Sequence, residues 1–171
     1  MKMKKMISLF VSACLLMLCV ASNSAESQAP SYDKSYAKTT LTVKSSPGTS
    51  YKTLGTIKVG TIVNVYGGVP YGKDQGGWIT AKQYGWSKIK YKGKYAYVKT
   101  YELHFADPYQ WSPGVYTKTI NEIKKNYVGK KDKTKLEKGG LGQYIMYIQI
   151  NGKGKWQQLV AIDNKTGWYH G

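Results

Sequence analysis

A mainly β chain, built as a short-stranded barrel followed by a small α+β unit, is what this sequence predicts. Three observations carry that expectation. Between Thr40 and Val98, short apolar runs of period two are broken by Pro47-Gly48, Gly55, Gly60 and Lys92-Gly93, the pattern of brief strands joined by turns. From Trp111 to Gly129 the apolar period becomes helical. Beyond that, "GQYIMYIQI" and "WQQLVAID" flank Asn151-Gly152, a hairpin signal.

The elements follow in order. Lys2, Lys4 and Lys5 precede an apolar run from Ile7 to Val20 and then small residues, which predicts a secretory signal peptide over residues 1–25. The run is shorter than the roughly 20 residues a spanning helix needs, so no stable membrane span is expected. Cleavage after Ala21 or Ala25 fits equally. Val11-Ser12-Ala13-Cys14 has the residue types of a lipoprotein box, but Leu15 to Leu18 carry the apolar run past Cys14, so lipidation there is the minor reading. Both cysteines lie in the signal. The remainder therefore has no thiol for a nucleophile, a metal site or a disulfide.

Of the 26 Lys+Arg, all are Lys. Three lysines and no acid fall in residues 1–25, so beyond them 23 lysines face 9 acids, a net charge of +14. Such a chain is drawn to polyanions by an attraction that salt weakens. The absence of arginine, whose fork reads guanine and grips phosphate, argues against sequence-specific nucleic-acid binding. Solubility alone is the plainer account of the lysines.

Residues 26–39 read as a flexible linker, rich in Ser, Ala, Pro and Lys. The strands of a small barrel follow over 40–104, closed on itself to remove exposed edges. A long connection, 67–85, interrupts them. It carries Tyr71, Trp78 and Tyr84 among glycines, and loops of this length are commonly functional. Those aromatics either stack on a sugar or peptide, or fold back over the barrel; Trp78 to Ala81 as an extra strand is the further alternative.

Leu41-x-Val43-Lys44-x-x-Pro47, Leu54-Gly55-x-Ile57-x-x-Gly60, Val63-x-Val65 and Gly85-Trp86-x-Lys88-Ile89-x-Tyr91-x-Gly93-Lys94-x-Ala96-Tyr97-Val98 together resemble the bacterial SH3 domain family. The resemblance covers residues 40–104. Lys44 and Ser46 stand where the family usually has Arg and Gly. The resemblance implies an SH3-like barrel that binds cell-wall ligands, the peptide portions of peptidoglycan first among them; the lysines add a general attraction to anionic wall polymers, teichoic acid among them. Candidate ligand-binding residues are Tyr51, Trp86, Tyr91 and Tyr97 on the barrel, with Tyr71, Trp78 and Tyr84 in the loop. Trp86 and Tyr91 share a side with Ile89, so some of these belong to the core.

Residues 105–110 read as a linker. In the 111–171 unit, Ser112 is a fitting N-cap, Pro113 fits the first helical position, and Trp111 can staple onto Tyr116. Tyr116, Ile120, Ile123 and Tyr127 recur at helical spacing, and Gly129 ends the helix. A hairpin or three-stranded sheet follows. No family is recognised in this unit. It is small enough that docking on the barrel or on a partner is expected.

Catalytic chemistry finds little support. His104 and His170 lie in different units, no His pair has metal-ligand spacing, and the acids are scattered without a neighbouring pair. The reading is therefore an exported, non-enzymatic, cell-wall-associated protein without cofactor or metal. The alternatives are an interaction or inhibitor protein acting on a secreted enzyme through residues 111–171, and an unrecognised wall hydrolase.

Overall fold

Alternation builds the barrel. A computed structural model describes residues 31–71 and 85–171. In it β1 (Asp33–Ala37), β2 (Leu41–Lys44), β3 (Thr53–Ile57), β4 (Ile62–Val69), β5 (Trp86–Tyr91), β6 (Lys94–Lys99) and β7 (Leu103–Phe105) form one sheet in the order β3-β2-β6-β5-β4-β1-β7. Leu41, Val43, Val63, Val65, Ile89, Ala96, Val98 and Leu103 point to one side and form its core. Burial of each Val, Leu or Ile among them contributes about 1.5–3 kcal/mol against exposure. The end strands β3 and β7 are not neighbours in the hydrogen-bonded order, so the sheet curls rather than closes. Ile57 and Phe105 nonetheless pack on the same core.

Two boundaries differ from expectation. The linker foreseen through Thr39 ends earlier, because Asp33–Ala37 is a strand paired with both β4 and β7. Its inward residues are Asp33, Ser35 and Ala37, too polar and small to show as an apolar run. Ser35 Oγ donates to Val63 O at 2.7 Å instead. The connection foreseen from residue 67 starts later, since Gly68 pairs with Ser87 and Val69 with Trp86.

The second unit is the helix α1 (Val115–Tyr127) with β8 (Lys133–Lys138), β9 (Gln143–Gln149), β10 (Gln157–Asp163) and β11 (Tyr169–His170), a four-stranded sheet in the order β11-β10-β9-β8. One strand beyond the three foreseen arises because β8, KTKLEK, has a single apolar residue, and β11 is two residues long. Ile120, Ile123, Met146, Val160 and Ile162 form the core, with Trp111, Leu136, Leu159 and Tyr169 around it. The buried side of α1 is Val115, Thr119, Ile120 and Ile123, whereas Tyr116 and Tyr127 are exposed. The Trp111–Tyr116 contact does form, rings 5.1 Å apart and edge to face. Ser112 is not the cap: Gly114, in the left-handed region at φ 77°, precedes the helix, and the Ser112 hydroxyl donates to Asp33 Oδ2 at 3.1 Å.

That bond belongs to a seam. Lys165 Nζ lies 2.8 Å from Asp33 Oδ2 and donates to Asp107 O and Gln110 O. Asn164 Nδ2 donates to Pro108 O and Gln110 O at 2.9 and 3.0 Å, and the Ser112 N–H donates to Asn164 O. The carbonyls of the expected 105–110 linker are thus the acceptors that hold the turn after β10. Gly68 makes the approach possible, since a Cβ there would lie 1.9 Å from Lys165 O. The second unit docks on the barrel.

Candidate functional site

Opposite the barrel core, the same alternation presents tyrosine and lysine. Tyr66 of β4, Lys88 and Lys90 of β5, and Tyr95 and Tyr97 of β6 alternate with the inward Val65, Ile89, Ala96 and Val98. Register sets Lys88 opposite Tyr97 and Lys90 opposite Tyr95. Tyr32, Tyr66 and Tyr95 make a continuous series, with ring centroids 6.2 and 6.1 Å apart. Lys88 Nζ stands 3.9 Å over the Tyr95 ring, and Lys90 Nζ 5.0 Å over Tyr66. Tyr95 is 52% exposed. Rings offer flat faces for sugars and peptides, while ammonium groups held over them meet anions without leaving the surface.

Residues 39–104 match the family model of the bacterial SH3 domain. Over this segment the chain is similar to the bacterial SH3 domain. No curated protein and no solved structure matches the chain. The SH3 match includes β2 to β7 and leaves out β1, so the strand bearing Asp33 lies ahead of the matched segment and yet sits between β4 and β7 in its sheet.

The SH3 domain divides the candidate residues foreseen. Tyr97 is on the tyrosine and lysine face, half-buried, next in register to Lys44. Lys44 in turn donates to Tyr51 O at 3.0 Å, which brings Tyr51 to the margin of the same surface. Tyr91 packs instead on the barrel core; its hydroxyl lies so near Gly55 that a Cβ there would be 2.2 Å away. Trp86 is a correction: it is 1% exposed and cannot stack on a ligand. It lines a pocket of about 240 Å³ with Thr42, Lys44, Thr49, Lys99 and Glu102, outside the core that holds Ile89. Tyr71 is exposed, but it lies against the second unit. Trp78 and Tyr84 lie outside the described residues.

Tyr32, Tyr66 and Tyr95 were missed. The signal for Tyr66 and Tyr95 was present, since each stands one residue from an inward apolar position; Tyr32 had none, because β1 itself was invisible.

Titratable groups gather elsewhere. The cleft between the SH3 domain and the second unit encloses about 340 Å³ and is lined by Leu103, His104, Phe105, Leu141, Asp163 and Lys165 among others. Burial pushes the Asp163 carboxyl above its ordinary range and the Lys165 ammonium below its own. Both are committed to structure. Asp163 Oδ1 accepts the Lys165 and Thr166 N–H groups at 2.7 and 2.9 Å, and Lys165 is paired with Asp33. Among the described residues no three His, Cys, Asp or Glu side chains form a metal-ligating group, and no helix there is long and apolar enough to cross a membrane.

Proposed function

We propose that this protein is exported and attaches to the bacterial cell wall through the tyrosine and lysine face of its SH3 domain, catalysing no reaction. The observation that carries the reading is the continuous Tyr32, Tyr66 and Tyr95 series with Lys88 and Lys90 over its rings, on a segment matching a family associated with wall binding. Peptidoglycan peptides stack on the rings. Anionic wall polymers, teichoic acid among them, pair with the lysines, as the net charge favours. The engagement of Lys165 at the seam and of the Asp163 carboxylate by the N–H groups of its own turn supports a binding rather than a catalytic role, because both groups already have structural partners.

Retention of the full chain on purified wall sacculi tests the reading, with a Tyr66→Ala/Tyr95→Ala variant alongside. Loss of retention in the variant is expected. Equal retention removes this face from the site, and release of muropeptides by the pure protein overturns the non-enzymatic reading. A stoichiometric protein partner in place of wall retention would favour an interaction protein acting through residues 111–171.

A further inference from the structure

A third cleft, of about 290 Å³, opens where the end of β4 meets α1 and the turn before β11. Four aromatic rings line it, those of Tyr71, Tyr127, Trp168 and Tyr169, with one carboxylate, Glu122. Among the described residues no lysine lines it. Aromatic faces carry negative potential and attract cations, most strongly where a carboxylate adds a full charge.

The groups are held in place. Tyr169 Oη donates to Glu122 Oε1 at 3.1 Å, and the Tyr127 and Tyr169 rings meet edge to face at 6.2 Å. Burial first, and then Glu122, raise the Tyr169 phenol to about 12, so it keeps its proton and goes on orienting the carboxylate. The turn presenting Trp168 is closed on both sides, with the Gly167 N–H on Asp163 O and the Asp163 N–H on Trp168 O, each at 2.8 Å. Gly167, at φ 80°, seats this turn on α1, since a Cβ there would be 2.2 Å from Thr119 Oγ1. A preformed cleft of this kind loses little order on binding.

We propose that this cleft binds an organic ammonium group. The chemistry is shared by a basic peptide side chain and by an aminoacyl ester. It does not depend on the SH3 domain's tyrosine and lysine face, so failure of one leaves the other standing.

The test titrates the full chain with n-butylammonium and with n-butanol, its neutral counterpart, following the Trp168 indole N–H by NMR and the heat by calorimetry. Nα-acetyl-lysine amide and alanine methyl ester form two further arms that distinguish side-chain from ester sources. Saturable binding of butylammonium, roughly tenfold or more tighter than butanol, is expected. Glu122→Gln should weaken it roughly tenfold, and Tyr127→Leu severalfold. Both residues are exposed, so the variants should fold, which circular dichroism checks. Equal binding of butanol, undiminished affinity in both variants, or no saturable response to any of the cations overturns the proposal.

Discussion

Lys165 Nζ lies 2.8 Å from Asp33 Oδ2, an ion pair that joins two residues 132 positions apart and is almost wholly withdrawn from solvent. Burial raises the Asp33 carboxyl above its ordinary range and lowers the Lys165 ammonium; the contact between them, with Ser112 on the carboxylate, pulls each back. The pair closes the seam between the two units, and its energetics follow from what removal of one partner leaves behind.

Lys165→Ala, or Asp33→Ala, should cost about 3–5 kcal/mol, because each strands a buried charge. Replacing both, Asp33→Ala with Lys165→Ala, should cost much less than the sum of the single changes, because neither charge is then left without its partner. Urea denaturation of the four proteins measures this as a double-mutant cycle. Additive costs would mean that the pair carries no coupling.

Gly68→Ala drives a Cβ to within 1.9 Å of Lys165 O. Backbone cannot yield as a side chain can, so a loss of about 1–3 kcal/mol or more is expected, with greater protease sensitivity at the seam. Gly140→Ala is the control, since a Cβ there meets nothing within 4 Å. Equal melting temperatures for both variants would show that β4 does not press on the turn.

Asp163 gives a pH signature. Burial raises its carboxyl above the ordinary 3.8, against the pull of the N–H groups of Thr166 and Lys165. The folded state therefore binds the proton more tightly than the unfolded one. The stability this group contributes is complete below 3.8 and is lost as pH rises through the folded value. Asp163→Asn has no such proton. The stability of the native protein relative to that variant should thus grow as pH falls from 7 to below 3.8, measured by denaturation at each pH. Asp33 titrates in both proteins and largely cancels in the difference. A shrinking difference contradicts the assignment.

Lys88→Gln with Lys90→Gln should weaken wall retention at low salt by about 0.5–1 kcal/mol per cation and flatten its salt dependence, since charges on an exposed face are screened within about 10 Å at 0.1 M. Tyr66→Ala with Tyr95→Ala should instead weaken retention at all salt concentrations. Sedimentation with sacculi across a salt series separates the two; identical salt profiles would refute a division of labour between rings and ammonium groups.

Local pattern determined a good deal. Alternation around Val63, Val65, Ile89 and Val98 specified the SH3 strands, because a period of two forces every second residue to one face of a sheet. The same alternation set Lys88 and Lys90 outward. The helix from Val115 was legible in its 3.6-residue period and in the Trp111–Tyr116 contact. The motif spacings from Leu41 to Val98 were enough for the family.

Tertiary structure decided the rest, wherever a residue's role depends on a partner distant in sequence. β1 is a strand only because β4 and β7 flank it; its inward Asp33 reads as linker until Lys165 arrives. Ser112 looked like a helix cap, but a hydroxyl makes its best bond to the nearest acceptor in space, here Asp33. Trp86 carried the signature of a binding aromatic and is 1% exposed, since burial is a property of the assembled surface and not of the strand. The cleft at the seam, and the gathering of all four rings around Glu122, exist only once the second unit docks: periodicity fixes which way a side chain faces its own sheet, and nothing local encodes which unit will come to lie against it.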